Sequence, residues 1–236
     1  MKLRTRVALQ LASLFFALGL SAFASDNAYL YLVNGIPGRD VADNLNPGFP
    51  VDILIDGDCL VRNLSFGNTA GPYSFSAGTY NVQISESNSL APCTNAAVLT
   101  GQVTLASGAS LSAVAALSAG QSTLLQFTDN LTPVAPGNAR FVIANSADAP
   151  ALVAKLKQVD VKNPKTFTVT ASPDAQASVT VRAGIYLVQG YEAGNTTVLT
   201  SEQIDLSNQS VTFAYAAGVA SNDSVSLIDR VVKDVF

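Results

Sequence analysis

Apolar residues recur at every second position over short stretches of this chain, and Gly, Pro, Asn and Ser interrupt them at close intervals. A period of two belongs to strands, whose side chains point alternately to opposite faces. Strands are predicted over Ala28–Asn34, Val51–Ile55, Cys59–Arg62, Tyr73–Ser76, Thr79–Ser85, Val98–Leu105, Leu111–Leu117 and Thr123–Thr128. Asp56-Gly57, between the second and third, is a strong hairpin signal, because both residue types tolerate the turn's positive backbone angles. After residue 24 no segment keeps a long amphipathic helical period. Leu152–Val159 is the ambiguous stretch and reads as extended.

The second half of the chain repeats the first. Ser76-Ala77-Gly78-Thr79-Tyr80-Asn81-Val82-Gln83 matches Arg182-Ala183-Gly184-Ile185-Tyr186-Leu187-Val188-Gln189 at an offset of 106. The same offset lays Ile53 and Ile55 on Val159 and Val161, and the Asp56-Gly57-Asp58 turn on Lys162-Asn163-Pro164. Val98-Leu99-Thr100 matches Val198-Leu199-Thr200, and Asp129 matches Asp229, at an offset of 100; Ala28 matches Ala139 at 111. Thr132–Gly137, rich in Pro and Gly, reads as a linker. No helices are available to cover a parallel sheet, so antiparallel sheets must cover each other. The expected fold is all-β: two tandem antiparallel immunoglobulin-like β-sandwich domains after a signal peptide. Residues 1–24 are the signal peptide, 25–132 the first domain, 133–137 the linker and 138–236 the second, which is expected to fold alone.

The amino terminus changes the compartment. Lys2, Arg4 and Arg6 precede a mostly apolar stretch from Val7 to Leu20, and Ala22-Phe23-Ala24 is a cleavage site of the A-x-A kind. The apolar stretch is short for a membrane span, no cysteine stands directly after the cleavage site to carry a lipid, and no later stretch is long enough to cross. No transmembrane anchor is therefore expected after cleavage. Once those three residues leave, 10 basic residues face 17 acidic ones, a net charge of −7. An acidic chain without a basic cluster argues against nucleic acid and anionic membrane as partners. An even pair of cysteines in an oxidising compartment predicts a Cys59–Cys93 disulfide.

Histidine and tryptophan are both absent from the 236 residues. Ser-His and Cys-His catalysis and histidine-ligated zinc are thereby excluded. Only Glu86, Glu192 and Glu202 are available as glutamates, none in a recognisable carboxylate-pair motif, and no G-x-S-x-G occurs. Catalytic residues, metal ligands and cofactors are accordingly not expected. Asp52, Asp56 and Asp58 cluster on the first hairpin, where calcium is the alternative to ordinary turn chemistry, but the calcium-loop spacing is missing. Tyr29 and Tyr31 share one strand face, and Tyr73, Tyr80, Tyr186, Tyr191 and Tyr215 are scattered; sheet packing is the expected role, sugar stacking the alternative. A terminal Phe236 can mark an outer-membrane barrel, but Asp234 and Arg230 on its face oppose that reading. The Asn34–Pro50 loop, with Arg39, Asp40, Asp43, Asn44 and Asn46 among Gly and Pro, is the candidate binding loop, since its counterpart in the second unit is shorter.

Several of these stretches together resemble one family. Arg140–Pro150, Val51–Gly57 with Leu64-Ser65-Phe66-Gly67, Ala77-Gly78-Thr79-Tyr80 and Phe127–Pro133 are similar, in order, to the domain of unknown function 4397 family. The resemblance covers nearly all of the chain after residue 24 and implies a secreted or cell-surface bacterial β-sandwich module, often in tandem, with no activity attached. The family's opening strand commonly ends in a histidine followed by Ala-Ser-Pro-Asp-Ala-Pro; Asn145 takes that place in the second unit, and Asn34-Gly35-Ile36-Pro37 stands there in the first. The function read from the sequence is an exported, non-catalytic structural or interaction module of the bacterial envelope or surface, periplasmic, surface-bound or extracellular, with an unknown protein or glycan partner. A carbohydrate-binding module of the envelope or matrix is the alternative.

Overall fold

The computed structural model describes residues 27–37, 50–118, 120–159, 161–222 and 224–233. The expected signal peptide, the candidate loop residues Arg39, Asp40, Asp43, Asn44 and Asn46, and Phe236 lie outside the described residues. Among the described residues there are sixteen strands, the first eight close to the predicted stretches. The first eight are β1 (Asn27–Asn34), β2 (Val51–Ile55), β3 (Asp58–Leu64), β4 (Thr69–Ser76), β5 (Gly78–Glu86), β6 (Ala97–Leu105), β7 (Ser110–Ser118) and β8 (Gln121–Thr128). The others are β9 (Asn138–Asn145), β10 (Leu152–Gln158), β11 (Thr166–Ala171), β12 (Gln176–Arg182), β13 (Gly184–Glu192), β14 (Val198–Leu206), β15 (Val211–Ala217) and β16 (Ser226–Val232).

The strands make four sheets of four, in the orders β4-β1-β7-β8, β3-β2-β5-β6, β12-β9-β15-β16 and β11-β10-β13-β14. Each pair of sheets closes one sandwich, and the same order appears twice. Two details differ from expectation. The sheets are not purely antiparallel: β1 runs parallel to β7, and β9 to β15. The long connection from the first strand to the seventh, across the other sheet, makes that direction possible.

The internal alignment also shifts once backbone pairing replaces string matching. Ile53 pairs Ile84, and Ala154 pairs Gly190, so β10 and not Val159–Val161 is the counterpart of β2. Leu152–Gln158 is thus a strand, and its true offset from β2 is five residues smaller than the identities suggest. Likewise Gln126 pairs Ala113 while Asp229 pairs Ala214, which puts Asp229 in the place of Gln126 rather than of Asp129. Short identical strings misled because loop lengths changed, whereas register is held by which side chains face the core.

Each sandwich has its own core. Leu30, Leu32, Ile53, Ile84 and Val103 fill the first; Phe141, Leu156, Tyr186, Val188 and Leu206 fill the second. The Ala-Gly-x-Tyr motif does the same work in both. Tyr80 donates to the carbonyl of Ser76 at 2.8 Å, and Tyr186 to that of Arg182 at 2.8 Å, so each ring packs while its hydroxyl closes a turn.

A third apolar cluster joins the sandwiches. Val33, Val114, Ala116 and Phe127 from the first meet Val142, Ala144, Phe213, Tyr215 and Ala217 from the second. Strands β7 and β15 are therefore buried on both faces, as their nearly unbroken run of buried residues requires. A Cβ at Gly35 would lie 3.0 Å from the Ala115 carbonyl oxygen and 3.1 Å from Ala217, so glycine permits the close approach there. The stretch 133–137 is not a loose spacer, because Val134 is buried in this same cluster.

One polar network lies inside the apolar junction. Arg230 Nη2 is 2.8 Å from Asp129 Oδ2, and both side chains are almost fully buried. Ser110 and Ser112 donate to the two Asp129 oxygens at 2.7 and 2.8 Å. The guanidinium lies 3.7 Å from the Tyr31 ring centroid and 4.3 Å from that of Phe213. Burial pushes the Tyr215 phenol up to about 12, against the attraction of Arg230. It therefore stays protonated; with Ser112 already donating to Asp129, the Tyr215 hydroxyl donates to Ser112 at 2.7 Å.

Candidate functional site

The loop between β5 and β6, residues 87–96, stands out at one end of the first sandwich. It carries no charged residue and includes Leu90, which is 96% exposed. A leucine held in water on a mobile loop would fold back at no cost; this one is held out by a pinned backbone. Asp52 is the main pin. It sits on β2 opposite an irregularity in the β2–β3 register, and such bulges re-aim side chains. Its Oδ1 accepts the Asn63 amide at 2.8 Å, and its Oδ2 accepts the amides of Cys93 at 2.8 Å and Asn88 at 3.3 Å.

Burial by itself pushes the Asp52 carboxyl up, but the Cys93 and Asn63 amides, the Ser87 side chain and the Asn88 amide together outweigh it. The net effect holds the carboxyl below the usual aspartate value. The second pin is covalent: Cys59 on β3 is bonded to Cys93, closing a separation of 34 residues, worth roughly 3–4 kcal/mol in the chain-entropy model. The third is local. Asn88 Oδ1 accepts the amides of Leu90 and Ala91 at 3.1 and 3.2 Å, Thr94 donates to the Ala91 carbonyl at 2.7 Å, and Asn95 to that of Glu86 at 3.0 Å.

The second sandwich lacks the first two pins, since Val153 stands on β10 where Asp52 stands on β2 and no cysteine is present, and keeps only a local turn in which Asn195 Oδ1 accepts the amides of Thr196 and Thr197 at 2.7 and 3.1 Å. The Asn34–Pro50 loop roots at the same end, because the Ser87 amide donates to the Pro50 carbonyl at 2.8 Å. Its first residue, Asn34, is buried and donates to the Leu64 carbonyl at 2.9 Å, while Asn145 donates to that of Pro150 at 2.9 Å. The two asparagines that replace the family's histidine therefore fasten turns.

The other candidates separate. The Asp56 carboxylate accepts the Asn81 amide at 2.7 Å and its side chain at 3.0 Å, and Asp58 is exposed. With Asp52 turned inward to three amides, the three aspartates do not form a shared carboxylate cluster. Among the described residues no group of three or more His, Cys, Asp or Glu is placed to hold a metal. Tyr31 lies under Arg230, Tyr191 under Lys155, and Tyr29 is the one aromatic among the strongly exposed apolar side chains described. Reading the sequence missed the anchoring role of Asp52 and the display of Leu90. A visible signal existed for the second: a single leucine among Ser, Asn and Pro, enclosed by the cysteine pair.

Paired four-stranded sheets with loops clustered at one stapled end define a β-sandwich module. More narrowly, the chain belongs to the family described as Domain of unknown function (DUF4397), whose model matches residues 28–155, more than half its length, ending inside β10. No curated protein matches the chain. Among solved structures it is similar to the Bacillus anthracis TIE protein, with 10% identity and a TM-score of 0.24 over 82% of this chain. The chain spans about a third of that structure, 32% of its length. It is also similar to a candidate cell adhesion protein from Bacteroides ovatus, with 10% identity and a TM-score of 0.29 over 89% of this chain and 100% of the other. A second such protein, from Bacteroides fragilis, gives 12%, 0.23, 87% and 97% for the same quantities. Scores this low leave the architecture to the chain's own strand pairing. Among the described residues no helix is long and apolar enough to cross a membrane.

Proposed function

We propose that this chain is an exported, non-catalytic interaction module of the bacterial envelope or surface, built as tandem units 25–132 and 138–236 joined by 133–137. It engages a protein partner through the loop end of the first sandwich. The observation that carries the reading is the 87–96 loop: buried Asp52, the disulfide and the Asn88 turn are all spent on holding out one leucine. Ordering a recognition loop before binding removes the entropy that a partner's affinity would otherwise have to offset. Arg39, Asp40, Asp43, Asn44 and Asn46 belong to the stretch that ends at Pro50, which accepts the Ser87 amide, and remain candidates for polar contacts with the partner. The disulfide also supports export, since such bonds persist in oxidising compartments.

Site-specific photo-crosslinking tests this on the producing cells. A photoreactive side chain at position 90 should capture one discrete protein, and the same group at Val161, also exposed, should not. Leu90→Asp should abolish the crosslink formed from a neighbouring position while leaving the melting temperature within a few degrees. Equal capture from both positions, or none from position 90, refutes the reading. A glycan as the only captured species favours the carbohydrate-binding alternative.

A further inference from the structure

The two sandwiches close one pair of sheet edges differently. In the first, β8 seals the edge of β6. The Gln126 side chain behaves like a short piece of strand, donating to the Gln102 carbonyl at 2.9 Å and accepting the Thr104 amide at 3.4 Å. Beside it Leu124 packs on Gly101, where an added Cβ would come within 3.0 Å of the leucine. The gap between the sheets is thereby filled.

The second sandwich keeps the leucine, as Leu227, but loses the glycine and the glutamine of that seal. The registers put Glu202 in the place of Gly101, since Val82 pairs Gly101 and Val188 pairs Glu202. They put Asp229 in the place of Gln126. An aspartate can accept a hydrogen bond from β14 but cannot donate one to a carbonyl. Two core side chains have also shrunk. Ile84 pairs Leu99 in the first sandwich, whereas Gly190 pairs Thr200 in the second. A narrow apolar notch opens there, lined by Leu152, Val188, Gly190, Leu199, Val225 and Leu227, with a free volume of about 10 Å³. β14 is the outermost strand of its sheet, and β16 of the facing one. Burial and then the charge of Asp229 push the Glu202 carboxyl up, in keeping with two carboxylates facing one gap.

We propose that the open edge of β14 is a second binding site, which accepts an extended segment of another protein carrying a basic side chain between Glu202 and Asp229. Backbone pairing along β14 would supply affinity, and alternate side chains would supply specificity, as in other strand additions. A small apolar residue of the segment would cover the notch. Charge complementarity selects this occupant over a second copy of the chain, because pairing β14 with itself would bring acidic edges together. Inward-turned charges on an edge strand oppose such self-pairing. The site is independent of the Leu90 loop, which lies on the other sandwich.

The test uses the exported protein and two fluorescent peptides, one alternating valine with lysine and one alternating valine with glutamate, read by anisotropy. The lysine peptide should bind and slow hydrogen exchange of β14 amides, and the glutamate peptide should not. Glu202→Gln with Asp229→Asn should weaken binding by about tenfold or more, as expected for two lost charge contacts. Asp229→Gln, which rebuilds the seal of the first sandwich, should weaken it as well. All three changes are at exposed positions, so folding is checked by an unchanged melting temperature. Lack of binding, equal binding of both peptides, protection at β6 or β4 instead of β14, or variants that bind as well as the parent would each overturn the proposal.

Discussion

Separating Asp129 from Arg230 should loosen the two sandwiches from each other. The pair joins a residue just after β8 to one on β16, its contact is 2.8 Å, and the two side chains are 0% and 7% exposed. Removing one member of a buried pair strands the other charge away from water, which costs about 3–5 kcal/mol. The two single changes should differ in detail. Arg230→Met keeps an aliphatic body between Tyr31 and Phe213, and Asp129 retains the donors Ser110 and Ser112. Its cost should fall at the low end. Asp129→Asn leaves a buried cation with only the neutral hydroxyls of Ser112 and Tyr215 at Nε and Nη2 and no partner at Nη1, and should fall at the high end. The double change strands no charge, so a double-mutant cycle in urea should give a coupling energy of about 2–3 kcal/mol. Salt should move these values little, since a buried pair is poorly screened. Calorimetry should show the single variants unfolding in two steps where the parent unfolds in one. Additive effects below about 1 kcal/mol each, with one transition kept throughout, would refute the argument.

The remaining expectations follow the same physics. Asp52→Asn should destabilise the protein at neutral pH, and the gap to the parent in urea midpoint should close on acidification: a carboxyl held low stabilises above its unfolded value near 3.8 and loses that contribution as pH falls through the folded value. Tyr215, raised from 10.0 to about 12, has the opposite sign, so stability should fall between those pH values in the parent and less steeply in Tyr215→Phe. Replacing both Cys59 and Cys93 by serine should cost roughly 3–4 kcal/mol and speed exchange of the 87–96 amides, read by hydrogen exchange. Residues 138–236 expressed alone should fold but melt lower than the full chain and self-associate in sedimentation, because Phe213, Tyr215 and Val142 lose their cover; a fragment that stays monomeric at full stability would contradict a packed junction.

Strand positions, the all-β class, the disulfide partners and the duplication were legible in the amino acids, because each depends on local periodicity or on simple counting. Alternation marks a strand wherever it occurs, and two cysteines have one way to pair. Residue strings even pointed to Tyr80 and Tyr186 as equivalents. Tertiary structure alone decided what depends on partners distant in the chain. Asp52 looks like a turn residue until amides 11, 36 and 41 positions away converge on it. The apolar runs of β7 and β15 signal burial on both faces, yet what covers the second face is the other sandwich, and the two strands meet there through Ser112 and Tyr215, 103 residues apart. Arg230 reads as an ordinary surface arginine between Asp229 and Val231 until Asp129, 101 residues earlier, is brought to it. Repeat register was misread for the same reason: identical strings record ancestry through loops of changing length, whereas pairing records which side chains must share a core.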